Sequence, residues 1–98
     1  SLPDKELRKE LWMTSFSKEI PTEGLDFDYL AEQFELAGGA IKNIVLNASF
    51  LAASENRPVG MKDILCSVKN ENIKIGKVML SKDFGFYEEI MKEGDRGL

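Results

Sequence analysis

The stretch from just after Gly38-Gly39 to about Ser54 constrains this chain more than any other. Ile41, Ile44, Val45, Ala48, Leu51 and Ala52 fall within a sector of about 120° when each residue turns by about 100°. Leu46, Phe50 and Ala53 occupy the opposite side. A helix that is apolar on two sides is central in a bundle or is covered by a second partner. The punctuation around it agrees. Pro3, Pro21 and Pro58, with Gly24, Gly38-Gly39 and Gly60, fall between periodic segments and divide the chain into four helical pieces and a tail.

The first helix is expected from about Asp4 to Phe16. Asp4 suits the cap and Glu6 the positive end of the helix dipole. Leu7 and Leu11 share one face and Trp12 and Phe16 another, which predicts two neighbours. Ile20 to Gly24 reads as a loop. The second helix, about Asp26 to Glu35, carries Phe27, Leu30, Ala31 and Phe34 at i, i+3, i+4 and i+7. Asp26 and Asp28 resemble a carboxylate pair for acid–base or calcium chemistry. Both stand at a helix start, where acids cap, and no further acids follow at calcium-loop spacing, so capping is the expected role. After Pro58-Val59-Gly60, a single stripe of Met61, Ile64, Leu65, Val68, Ile75 and Met79 predicts a helix of about 18 residues, about 28 Å. Asn72 is its one polar interruption. No segment shows strand alternation. The expected fold is all-α: a small four-helix bundle over residues 1–80 with a C-terminal tail, 81–98. In that tail Phe84, Phe86, Tyr87, Ile90 and Met91 need a surface, a short docking helix is expected near 86–92, and Gly85, Gly94 and Gly97 interrupt.

At 98 residues this is one domain, and Ser1-Leu2, without an initiator Met, reads as a cloning remnant on a piece of a longer chain. One cysteine and no histidine exclude a disulfide framework and a Cys/His zinc site, and remove the commonest general base. Cys66 lies beside the stripe of the fourth helix, where packing is its expected role. No apolar run reaches about 20 residues and no signal stretch opens the chain, so no membrane segment is expected; the lack of disulfides suits a cytoplasmic setting. The net charge of −4 argues against direct nucleic-acid binding. Residues 1–35 hold nine acids and four bases, whereas 36–80 hold six bases and three acids, a scatter that fits solvated helix faces. There is no G-x-x-x-x-G-K-[ST] and no G-x-S-x-G, so this piece is expected to catalyse nothing alone. Gly38-Gly39 has two readings: a tight joint between packed helices, or a backbone open to a flat ligand beside free helix N–H groups.

Leu2-Pro3-Asp4 with Arg8, Leu11 and Trp12, then Asp26 through Leu30-Ala31, then Gly38 through Ala53, resemble the C-terminal lid domain of AAA ATPases. The resemblance spans roughly residues 2–80 and is most specific over 36–53. It implies an upstream core domain in the same chain, carrying the phosphate loop, the magnesium-binding acids and the arginine fingers, and an ATP-hydrolysing parent assembled as a homo-oligomeric ring. The lid then closes over ATP, with Gly38, Gly39 and Ala40 against the adenine or ribose. Ala40 stands where several branches carry a phosphate-sensing arginine. Lys42 is the nearest cation, although its phase between the two apolar sides favours a solvated role. Asn43 and Asn47 order the joint or face the neighbouring domain. ATP is not expected to bind this piece alone. The competing expectation is a stand-alone helical protein-interaction module, using the second apolar side of the third helix and the aromatic tail. A DNA-binding helix-turn-helix fits poorly, because that third helix offers few polar groups.

Overall fold

Asp4 and Asp26 start the first two helices. The Asp4 carboxylate accepts the Leu7 N–H at 2.9 Å and the Asp26 carboxylate the Tyr29 N–H at 3.0 Å, satisfying donors that a helix start leaves free. Asp28 is exposed and pairs instead with Lys9 on the first helix, at 2.8 Å. The computed structural model describes residues 2–96, with side chains to residue 93; the expectations for Ser1 and Gly97 lie outside the described residues. The helices are α1 (Lys5–Ser15), α2 (Phe27–Gln33), α3 (Gly38–Ser54), α4 (Met61–Lys74) and α5 (Glu88–Arg96). Helix makes up 67% of the chain and no strand forms among the described residues, so the fold is all-α.

α3 lies in the middle, packed against α1 and α4. Its inward stripe of Ile41, Ile44, Val45, Ala48 and Ala52 is buried, while Leu51, at the edge of the sector, is partly exposed. The opposite side is not covered by the bundle. Leu46 is 53% exposed and Phe50 67%, and Ala53 is exposed too. Both neighbours of α3 sit on the stripe and its flanks, leaving this side to solvent.

Helix ends account for a difference in α4. The side-chain stripe predicts a helix running on to Met79, but α4 stops at Lys74. Gly76 takes a left-handed φ of 79°, the Gly76 N–H donates to Ile73 O, and the Lys77 N–H donates to Asn72 O, both at 2.9 Å. This double closure suits glycine, which carries no Cβ penalty there. Ile75 therefore leaves the stripe and is 76% exposed. Asn72 is buried, its amide donating to Met79 Sδ, and Met79 re-enters the core from the extended connection that follows. α3 ends the same way, with Asn56 at φ 57° and the N–H groups of Asn56 and Arg57 closing onto Ala53 O and Ala52 O at 3.1 Å.

The joint between α3 and α4 is tied by Asp63, 1% exposed. It accepts both terminal nitrogens of Arg57, at 2.5 and 2.7 Å, and the Gly60 N–H at 2.9 Å. Burial works against its charge, yet the bonds from Arg57 and Gly60 outweigh burial and hold the carboxyl below the usual carboxylate range. The loop before α2 is fastened here as well: Val59 N–H donates to Pro21 O and Glu23 N–H to Val59 O, each at 2.9 Å.

The tail folds back on the bundle. Tight 3₁₀ turns over Ser81–Tyr87, kinked at Gly85 (φ 51°), lead into α5, so the regular helix begins two residues later than the sequence pattern predicts. Phe84 is fully buried and Met91 nearly so. Tyr29 donates its hydroxyl to Phe84 O at 2.7 Å and meets Tyr87 edge-on at 4.9 Å. Phe86 points away and is 89% exposed.

Candidate functional site

Arg8 organises the end of the bundle where the N-terminal segment enters. One turn from the fully buried Trp12, it is itself buried. Its Nε donates to Ala31 O and one terminal nitrogen donates to Pro3 O, both at 2.9 Å. A guanidinium that bonds to carbonyls in this way crosslinks backbone rather than balancing an acid. The Pro3-Asp4 segment that enters α1 and the Leu30-Ala31 turn of α2 are therefore both held in register with α1. Ion pairs Lys5–Glu32 (3.0 Å) and Lys9–Asp28 lie along the same α1–α2 seam. The Lys9–Asp28 hydrogen bond and charge push Lys9 up and pull Asp28 down, at an exposed position where solvent screens the pair.

Beside this crosslink lies a shallow depression of about 470 Å³, lined by Leu2, Pro3, Asp4, Leu7, Leu11 and Gly38. The structure thus brings the Pro3-Asp4 segment against the start of α3. At Gly38 an added methyl group would meet only Leu11 Cδ1, at 3.6 Å, an ordinary contact. At Gly39 it would meet nothing within 4 Å. Neither glycine has a positive φ. Packing and backbone geometry within the described residues therefore require neither glycine, although two at a helix start cost about 1 kcal/mol or less each relative to alanine. No side chain caps α3, whose preceding residue is Ala37.

Gly38, Gly39 and Ala40 form the first turn of α3, with Gly39 exposed and Ala40 half-buried. Lys42 is exposed one turn beyond Gly38 and lines a second groove, of about 670 Å³, between α1 and α3. Leu11 borders both hollows, so the two are neighbours along the α1–α3 seam. Asn43 also lines the groove, and Leu46 forms part of its outer wall. Cys66, on α4, is half-buried against the core.

Sequence reasoning singled out the glycines and Lys42 but not the task of Arg8. A signal was present: Arg8 and Trp12 are four apart and so share a face, and a cation on a buried face must find oxygens. Which oxygens was not legible, because Ala31 O is 23 residues away. Trp12 Nε1, buried beside it, has no hydrogen-bond partner among the described residues. No protein-family model matches the sequence, and none of the curated proteins matches it. No helix among the described residues is long and apolar enough to cross a membrane.

Proposed function

We propose that this chain is the lid domain of an AAA ATPase, closing over ATP held by an upstream core domain and passing the effect of hydrolysis on as a movement of the lid. The observation that carries the proposal is the depression between Pro3-Asp4 and Gly38, next to a Gly39 that no contact among the described residues explains. Missing side chains let a flat base approach the backbone, and uncapped helix N–H groups favour a neighbouring anion. Gly38, Gly39 and Ala40 are the adenine-side residues in this reading, and Lys42, one turn along, faces the same seam. Arg8 supports it as a positioning residue, since it holds the entering segment rigidly against α1 and α2. A lid that moves as one body needs such a clamp at its hinge. The magnesium and the reacting phosphates belong to the core domain, which leaves this chain without catalysis of its own.

Gly39→Val is the test. Open space at this position predicts a change in the melting temperature of the 98-residue chain of less than about 5 °C. In the longer parent the same substitution is expected to weaken ATP binding at least about tenfold, since the new side chain occupies the base's approach. The opposite ranking, a large loss of stability with ATP affinity intact, refutes the adenine contact. Parentage has its own check: a phosphate-binding loop encoded within about 200 residues upstream, the span of one core domain.

The uncovered side of α3 favours a second reading, a helical interaction module acting on its own. Leu46 and Phe50 are both more than half exposed on that side. Light scattering after size exclusion distinguishes the two: a concentration-independent monomer with no captured helix peptide removes this alternative.

A further inference from the structure

The groove between α1 and α3 carries charge of one sign only. Leu11, Ile20, Val45 and Leu46 supply its apolar walls, Lys42 is its one charged residue, and no acid lines it. Lys42 is exposed and makes no ion pair among the described residues, and the Asn43 side chain makes no hydrogen bond there. Thr14 and Ser15 on α1 and Ser49 on α3 add hydroxyls whose protons are already committed. They donate to Glu10 O, Leu11 O and Val45 O, one turn back, at 2.8, 2.5 and 2.7 Å. Each of these oxygens is left able only to accept. The lining therefore asks for three things in one ligand: an anionic group for Lys42, N–H donors for the hydroxyl oxygens, and an apolar side chain for the walls.

Length narrows the class further. Leu11 stands at the end next to the Gly38 depression, and Ile20 and Ser49 at the end shared with a hollow beside the α3–α4 joint. From Lys42 to Ser49 the helix rises about 10 Å, the length of about three extended residues. A fatty acid brings no N–H, and a free phosphate brings no apolar side chain. We propose that this groove binds the C-terminal end of another polypeptide, one that finishes in an apolar residue. Its terminal carboxylate meets Lys42 and the Asn43 amide, and its last side chain turns in against Leu11 and Leu46. Successive N–H groups of an extended chain point to opposite sides, so one meets the hydroxyls of α1 and the next meets Ser49 on α3. The hollow at the far end, lined by Pro21, Ala53 and Pro58, leaves room for the preceding residues. The proposal does not rest on the adenine contact, because the peptide is read on this chain without ATP or a core domain.

The probe is an acetylated peptide of three alanines and a final leucine with a free carboxylate, titrated into the ¹⁵N-labelled 98-residue chain. Its C-terminal amide and the same peptide ending in glycine are the controls. Shifts are expected at residues 11–20 and 42–49, with each control weaker by about three- to tenfold, the range of one exposed charge contact or one apolar side chain. Added salt is expected to narrow the gap between acid and amide. Lys42→Gln is expected to bind acid and amide alike, and to keep its melting temperature within about 2 °C because Lys42 is exposed. The inference is overturned by no shifts at millimolar peptide, by equal binding of acid and amide to the unmodified chain, by shifts confined to residues outside the groove, or by shifts at 42–49 that grow with protein concentration in the absence of peptide, which would make a second copy the occupant.

Discussion

Replacing Asp63 by Asn changes almost no volume and removes one charge from the α3–α4 joint. In the native joint the carboxylate accepts two guanidinium bonds and the Gly60 N–H. Asn offers one carbonyl oxygen, and its NH₂ must face Arg57 or Gly60, donor against donor. Hydrogen bonds to charged groups contribute about 1.5–3 kcal/mol each, which sets the scale of the loss. Arg57 is 38% exposed at its side chain and regains water, so the low end applies. The expected cost is about 2–3 kcal/mol, a fall of about 10–20 °C in melting temperature for a chain of this size. Circular dichroism melts at neutral pH measure it. The pH dependence supplies the second arm. The Asp63 carboxyl is held below its unfolded value of about 3.9, so its contribution is complete above that pH and is lost as pH falls through the folded value. The gap between wild type and Asp63→Asn should therefore be constant near neutrality and close in acid. A variant melting within 3 °C of wild type at neutral pH, as a rough bound, refutes the argument that this buried carboxylate ties the joint.

The other expectations follow from burial. Ala48→Asp puts a carboxylate at a fully buried position between α3 and its neighbours and is expected to unfold the chain, seen as loss of the cooperative melt. Phe84→Ala removes a fully buried ring that joins the tail to α2, at a cost of about 3–5 kcal/mol in denaturant titration; a loss under about 1 kcal/mol would mean the tail is an independent appendage. Arg8→Met keeps the buried stem but leaves Ala31 O and Pro3 O without their donor, and is expected to cost about 1–3 kcal/mol and to speed hydrogen exchange in the segment before α1.

Periodicity placed the helices because it reports which side chains must leave water, and that holds whatever the partner. The stripe from Ile41 to Ala52 is buried except at Leu51 on its edge, and Asp4 and Asp26 cap as residues of their type at a helix start do. Periodicity failed at Ile75, where apolar phase continued but Gly76 ended the helix, since a stripe carries no information about backbone sign. The candidate site was half legible. Gly38-Gly39 stood out as a pair, but the open space beside Gly39 and the ordinary contact with Leu11 beside Gly38 are facts that only coordinates contain. Residues alone determined an all-α chain with a central two-sided helix and no histidine or disulfide chemistry. Tertiary structure alone decided that the second side of α3 stays open, that Arg8 reaches carbonyls of Pro3 and Ala31, and that Asp63 finds Arg57. The physical reason is shared: local sequence sets which groups seek burial or a partner, whereas the partner's identity depends on which groups the folded backbone brings within about 3 Å, whether six residues away, as for Arg57 and Asp63, or 23, as for Arg8 and Ala31.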